Sequence, residues 1–219
     1  MTSTHPDLFN QDVNPPTRET LGDGAMILRG FALPDAASLI AGVDMVARDA
    51  AFRHLVTPGG FTMSVAMTNC GPLGWVSDRR GYRYAPLDPA SGKPWPMMPP
   101  SFLTLAREAA AEAGYDGFVP DACLINNYEP GARLTLHQDK DELDLEAPIV
   151  SVSLGLPAKF LFGGLARADR PQRIMLHHGD VCVWGGPSRL CYHGIDVLKD
   201  GDHPLTGRRR INLTFRKTQ

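Results

Sequence analysis

Three residues of this chain have the types and spacing to share one metal ion. In Leu134-Thr-Leu-His-Gln-Asp-Lys-Asp141 apolar and polar residues alternate as on a strand. Side chains at i and i+2 of a strand point to one face, so His137 and Asp139 are expected to project together. A third ligand is offered by His193 in Leu190-Cys-Tyr-His-Gly194. Two histidines and one carboxylate on one side of a metal, with open positions opposite, make the facial triad of non-haem Fe(II) chemistry. A lone His-x-Asp is a common surface pair. A second histidine in a later strand, where a closing sheet could deliver it, turns the pair into a candidate site. His5, His54, His177, His178 and His203 lack such a setting, and His177-His178, ahead of the Gly179-Asp180 turn, read as solvated.

The C-terminal run Arg210-Ile-Asn-Leu-Thr-Phe-Arg216 has the same two-residue period. Arg210, Asn212, Thr214 and Arg216 fall on one face and Ile211, Leu213 and Phe215 on the other. Guanidinium groups grip carboxylates in a two-pronged manner, so this face could hold a dicarboxylate. Asn126 and Tyr128 share a face of Leu124-Ile-Asn-Asn-Tyr128 and need polar partners if buried. Trp75, Tyr82 and Tyr84 are interleaved with Arg79, Arg80 and Arg83, a mixture suited to stacking on bases beside phosphates, or to a plain exposed loop with packed rings.

The elements that must position these residues are mostly strands. Short apolar or alternating runs separated by Gly, Pro and Asp occupy Ala122–Tyr128, Arg133–Gln138, Ile149–Leu156, Lys159–Gly163, Gln172–Leu176, Val181–Trp184, Cys191–Val197 and Arg210–Arg216. That spacing points to a sandwich or barrel, and a double-sheet jelly roll can hold a ligand inside. Upstream, Gly24–Phe31 reads as a strand. Ala36–Ala51 reads as a helix with Leu39, Ile40, Val43, Met45 and Val46 as its apolar stripe. Phe61–Thr68 alternates loosely after the Pro58-Gly59-Gly60 turn, residues 86–100 form an irregular proline-rich connection, and Ser101–Ala113 reads as a helix capped by Ser101. Residues 1–20, polar and containing Pro15-Pro16, read as a flexible arm.

With 219 residues the chain fits one domain with a core of its own. Nineteen prolines and 22 glycines argue against a helical bundle. A net charge of -2 excludes a polybasic binder but leaves room for local arginine clusters. Cys70, Cys123, Cys182 and Cys191 form no CxxC pair, which disfavours a zinc finger, and three of the four lie in apolar runs and read as buried thiols of a reducing compartment. No signal core and no apolar run long enough to span a bilayer is seen, so a soluble cytoplasmic protein with no membrane partner is expected.

Taken together, Val56-Thr-Pro-Gly-Gly, Met63-Ser-Val-Ala-Met-Thr-Asn-Cys-Gly71, Pro120-Asp-Ala-Cys-Leu-Ile-Asn126, Leu136-His-Gln-Asp-Lys-Asp141, Pro148-Ile-Val-Ser-Val-Ser-Leu-Gly155, Gly179-Asp-Val, Tyr192-His-Gly194 and Arg210-x-Asn-Leu-Thr-Phe-Arg216 are similar to the AlkB family of Fe(II)- and 2-oxoglutarate-dependent dioxygenases. The resemblance covers residues 20–217. It implies a mainly β fold with flanking helices, a double-stranded β-helix core over about 115–217 and a nucleotide-recognition lid over about 21–100, in one domain spanning 21–219. It implies iron at His137, Asp139 and His193. It places 2-oxoglutarate on Asn126, Tyr128, Arg210, Asn212 and Arg216, and substrate on Trp75, Tyr82, Asp141 and Arg167, with His137 also stacking. The implied reaction consumes O2 and removes methyl groups from 1-methyladenine and 3-methylcytosine. The substrate is alkylated DNA, single- or double-stranded, with RNA a second candidate, and the chain acts as a monomer with no obligate protein partner. Two positions depart from the bacterial pattern: Phe61 stands for Tyr, which removes a hydroxyl, and Asn127 stands for Arg.

Two rival readings stand beside it. One keeps the fold and cofactors and oxidises a small molecule or a protein side chain, against which the aromatic-arginine segment 75–84 argues. The other is a jelly-roll binding module with structural zinc, which usually takes four protein ligands and more cysteine.

Overall fold

The structure, a computed structural model, describes residues 17–219. The arm expected over residues 1–16 lies outside them. Residues 17–20, expected in that arm, instead begin an edge strand, β1 (Thr17–Gly22), which pairs antiparallel with β2 (Ala25–Arg29) across the turn at Asp23-Gly24. Gly24 is needed there. Its φ is +71°, and a Cβ would sit 2.6 Å from the carbonyl oxygen of Gly185.

Helix α1 (Ala36–Asp49) follows, then β3 (Arg53–Val56), β4 (Thr62–Cys70), the hairpin β5 (Gly74–Asp78) and β6 (Gly81–Ala85), and helix α2 (Pro100–Glu112). In α1 the buried stripe is Leu39, Val43 and Val46; Met45, expected within it, is half exposed because it lies a quarter turn off that line. Ser101 does not cap α2. The helix starts at Pro100, whose fixed φ and missing N–H suit a first helical position, so no side-chain cap is formed.

The remaining strands are β7 (Ala122–Tyr128), β8 (Leu134–His137), β9 (Ile149–Gly155), β10 (Ala158–Phe162), β11 (Gln172–Leu176), β12 (Val181–Trp184), β13 (His193–Ile195) and β14 (Arg210–Arg216). Eight strands form one sheet in the order β1-β2-β12-β9-β14-β7-β4-β3, and four form a second, β11-β10-β13-β8, with every pairing antiparallel. The hairpin β5–β6 is a separate two-stranded ribbon.

The alternation of the large sheet divides the molecule into layers. Ile211, Leu213 and Phe215 of β14, Ile125 of β7 and Val150, Val152 and Leu154 of β9 pack with α1 and α2. The opposite face meets the small sheet, where Leu124, Tyr128, Phe160, Phe162 and Trp184 form a second apolar cluster. Polar residues of β14, β7 and β9 also point into this inter-sheet space. They are buried there, so each has to find a partner or a ligand. This is a jelly roll whose interior is lined by apolar and polar residues together.

Candidate active site

A cavity of about 800 Å³ opens between the two sheets, with the β5–β6 hairpin and the β3–β4 turn at its mouth. His137, Asp139 and His193 line it, and one ligand atom from each lies within 4.8 Å of the others. Strand pairing brings the histidines together: His193 and His137 are direct cross-strand partners between β13 and β8. Asp139 does not share a strand with His137 as expected. β8 ends at His137, and Asp139 follows in the loop, with Oδ1 3.7 Å from His137 Nε2 and Oδ2 3.8 Å from His193 Nε2.

Backbone carbonyls set the tautomers. Nδ1 of His137 lies 2.9 Å from the Thr135 carbonyl and Nδ1 of His193 lies 3.0 Å from that of Cys191. A carbonyl only accepts, so each Nδ1 carries the proton and each Nε2 is left with a free lone pair. Burial lowers the His193 pKa to about 4, with His137 adding to the effect and Asp139 opposing it, so the ring is neutral at pH 7. Burial pushes the Asp139 carboxyl up, but Arg216 and the two histidines outweigh it and hold it well below the usual carboxylate range. A neutral imidazole at His193 and an ionised carboxylate at Asp139 suit a divalent metal.

Arg216 donates to Asp139 Oδ2 through Nε (3.0 Å) and Nη2 (2.8 Å), so it is engaged with the metal-site carboxylate. Arg210, only 1% exposed, is different. Its Nη2 donates to Ser153 Oγ (2.9 Å) and its guanidinium lies 5.0 Å from the Tyr128 ring centre, but Nε and Nη1 have no partner. Burial pulls this guanidinium below its ordinary range, and nearby Tyr128 and Cys182 only partly offset that. Among the described residues six buried side-chain polar atoms lack a partner. Four of them, Asn126 Oδ1, Trp184 Nε1 and the two Arg210 nitrogens, belong to residues lining this cavity. Unmet donors clustered on a buried cation fit a bound carboxylate.

Asn212 is saturated by protein. Its Nδ2 donates to Ser151 Oγ and the Val152 carbonyl, and its Oδ1 accepts from Asn126 Nδ2 and Thr214 Oγ1. It therefore orients Asn126 and leaves no group free for a ligand. Ser151 and Ser153 were missed by the sequence reading, although the alternation Ile149-Val-Ser-Val-Ser already put both on the face shared with Arg210. Also missed was Glu142, whose carboxylate accepts from Tyr84 Oη (2.5 Å) and Arg189 Nη2 (3.1 Å).

At the mouth, Trp75 and Tyr82 stack with ring centres 5.5 Å apart and planes 13° from parallel. Trp75 Nε1 donates to Asp141 Oδ2 (2.9 Å), which leaves Oδ1 of this exposed carboxylate free. Arg167 is exposed at the rim with its guanidinium 5.9 Å from the Tyr192 ring centre. Arg80 and Arg83 both bind Asp78, which they hold well below the usual carboxylate range, so the arginine cluster of this hairpin is partly neutralised from within. His178, expected to be solvated, instead accepts from the Gly155 N–H and packs against His203 with ring centres 4.3 Å apart, because the turn after β11 folds back onto the end of β9. Phe61 is 76% exposed at the mouth.

This arrangement can hold a divalent metal, a small dicarboxylate on Arg210, and a flat cationic ring between aromatic faces beside a carboxylate. The chain matches the 2OG-Fe(II) oxygenase superfamily over residues 24–216. It is similar to the curated Alpha-ketoglutarate-dependent dioxygenase AlkB of Escherichia coli (strain K12), 63% identical over 202 residues, covering 92% of this chain and 94% of that protein. The protein of the same name from Salmonella typhimurium is 61% identical over 211 residues, covering 96% and 97%. Among solved structures OsALKBH1 matches with a TM-score of 0.82 at 29% identity, over 92% of this chain and all of that one.

Proposed function

We propose, from the premise that this chain belongs to the 2OG-Fe(II) oxygenase superfamily and is an AlkB-type dioxygenase, that it demethylates alkylated nucleobases in nucleic acid, 1-methyladenine and 3-methylcytosine above all. The observation that carries this reading is the Trp75–Asp141 pair: an aromatic face bonded to a carboxylate two residues from the ligand Asp139. Both bases are cationic when methylated on the pairing edge, and both carry an exocyclic amine that a carboxylate can accept from.

His137, Asp139 and His193 would hold iron. When bound there, iron(II) supplies the chemistry no side chain has, coupling reduction of O2 to conversion of 2-oxoglutarate into succinate and CO2 while the methyl group gains the second oxygen atom. Arg210 binds the distal carboxylate of 2-oxoglutarate through its two free nitrogens, and Tyr128 and Ser153 keep the guanidinium in place. Asn126, braced by Asn212, offers its unpaired Oδ1 to the same cavity. Arg216 keeps Asp139 ionised and oriented. Trp75 and His137 flank the ring, and Asp141 accepts from the exocyclic amine. The N-hydroxymethyl product is a hemiaminal. It gives its hydroxyl proton to water as its C–N bond breaks, releasing formaldehyde, and the ring nitrogen keeps the electron pair of that bond.

A base inside a duplex cannot reach this cavity and must leave the stack, at a cost of a few kcal/mol that is smallest in single strands or where methylation has broken the pair. Alkylated single strands are therefore the preferred substrate in this reading, with duplex DNA and RNA also accessible. Direct reversal of DNA alkylation in the cytoplasm by a monomer completes it; four buried free cysteines suit that compartment. Among the described residues no helix is long and apolar enough to cross a membrane.

The test is mass spectrometry of a single-stranded oligonucleotide carrying one 1-methyladenine, incubated with protein, Fe(II), 2-oxoglutarate, ascorbate and O2. The expected result is loss of one methyl mass, dependent on 2-oxoglutarate and absent from His137→Ala. Asp141→Ala should lower repair more than substrate-free consumption of 2-oxoglutarate. Succinate without any mass change would mean another substrate, and equal losses in both assays would remove Asp141 from substrate binding.

A further inference from the structure

The β5–β6 hairpin touches the catalytic half of the molecule at two adjacent carboxylates. Trp75 and Tyr84 are direct cross-strand partners in the hairpin, and they donate to Asp141 and Glu142 respectively. The first contact is exposed and lies in the substrate mouth. The second is buried, and nothing in the proposed reaction uses it. Glu142 has a side chain 2% exposed and is gripped from the other side by Arg189 Nη2 at 3.1 Å. Arg189 also donates from Nη1 to the backbone carbonyl of Asp139 (2.7 Å). Arg216 Nε, which bonds Asp139 Oδ2 at 3.0 Å, lies 3.4 Å from Glu142 Oε1, the same oxygen that accepts the Tyr84 hydroxyl. Arg216 thus stands between two carboxylates, one belonging to the metal cluster and one held by the hairpin.

We infer that Tyr84 and Glu142 are positioning residues that tie the seat of the substrate-reading hairpin to the orientation of the Asp139 carboxylate. The inference rests on the reading of His137, Asp139 and His193 as the metal site. The Tyr84 proton satisfies part of the charge on Glu142 Oε1 and so leaves Arg216 to Asp139. Without that proton Oε1 competes for Arg216 Nε, and Asp139 loses one of the two bonds that fix Oδ2 beside His193 and Oδ1 beside His137. Arg216 stays buried beside the cluster in either case, so its repulsion of a cation is little altered. What changes is the orientation of the ligand. Partners one step removed from a metal ligand typically affect metal affinity 10–100-fold. The same path runs in reverse: a base that shifts the hairpin resets Asp139, so base capture and readiness of the metal site are coupled.

The test is Co(II) titration of the full chain, read in its visible absorption bands with no turnover. Tyr84→Phe keeps the ring and removes only the hydroxyl, and it should raise the Co(II) Kd about tenfold. Glu142→Gln removes the competing charge, so it should leave the Kd near that of wild type, and in the double variant it should cancel the effect of Tyr84→Phe, since both act on one contact. Ser77→Ala is the control. It cuts a different anchor of the same hairpin, the 2.7 Å bond from Ser77 Oγ to the Val56 carbonyl, and should leave the Kd unchanged. A wild-type Kd in Tyr84→Phe, or an equal loss in Ser77→Ala, would overturn the inference while leaving the metal site intact. Equal Co(II) binding by wild type and His137→Ala would take down the site reading and the inference together.

Discussion

Arg210→Met should stabilise the ligand-free protein and abolish its response to 2-oxoglutarate. The guanidinium is buried, meets no carboxylate, and has two nitrogens with no partner at all. Its compensation is one hydroxyl, Ser153, and the face of Tyr128. Replacing poorly compensated buried charge with an apolar side chain of similar length commonly gains about 1–4 kcal/mol. For a chain of this size each kcal/mol moves Tm by roughly 2–4 °C, so the ligand-free variant should melt roughly 2–16 °C above wild type. Binding moves the other way. Nε and Nη1 are placed for two bonds to a charged acceptor, worth about 1.5–3 kcal/mol each. Losing both weakens 2-oxoglutarate by roughly a hundredfold to ten-thousandfold. The assay is calorimetry with Mn(II) in place of iron, with and without 2-oxoglutarate. At a hundred times Kd the co-substrate stabilises wild type by about 2.7 kcal/mol, and the variant should show none of that increment. A ligand-free variant melting below wild type would refute the account of Arg210 as a destabilising cation held for a ligand. A retained increment would refute its assignment to the carboxylate.

Two other outcomes follow from packing and burial. Gly74→Ala puts a Cβ 2.4 Å from Trp95 Cε2 and 2.8 Å from Asn69 Cβ, behind the strand that carries Trp75. Overpacking of this kind costs about 1–3 kcal/mol, so KM for a methylated oligonucleotide should rise severalfold while substrate-free 2-oxoglutarate consumption holds; a changed consumption with an unchanged KM would disconnect Gly74 from the hairpin. Burial pushes the Cys182 thiol up to about 12 and the Cys123 thiol well above its ordinary value. A thiol-reactive dye at pH 8 should therefore leave both unlabelled in native protein and label all four cysteines in denaturant, and rapid native labelling of Cys182 would contradict its place in the core.

The strands most legible in the sequence are short apolar or alternating runs bounded by turn residues. β7, β11, β12 and β14 occupy the residues that the pattern marks. β13 is shorter than its pattern because the pairing slips between His193 and Ile195, and Cys191 and Tyr192 leave the ladder. β1 was not legible: Thr-Arg-Glu-Thr has no apolar face, since an edge strand exposed on both sides needs none. The hairpin β5–β6 shows in the sequence as stacking residues and not as strands, because arginines interrupt its alternation. In the site, local signals show which residues share a face of one strand, as with Arg210 and Asn212. They failed for Glu142, whose partners Tyr84 and Arg189 stand 58 and 47 positions away. No window of sequence contains such a contact.

β14 carries a polar face toward the cavity and a wall of the helix-side core on alternate residues, and it is fixed on both flanks by unbroken seven- and six-residue ladders to β7 and β9. Substitution and length change therefore have different fates in this strand. A substitution at Arg210 can retune ligand choice while Ile211, Leu213 and Phe215 go on packing. An insertion or deletion of a single residue would exchange the two faces, sending arginine into the helix layer and leucine into the cavity. Descendants of this chain can thus explore new co-substrates one side chain at a time, but the spacing of the strand is closed to them, because catalysis and solubility would be lost in the same step.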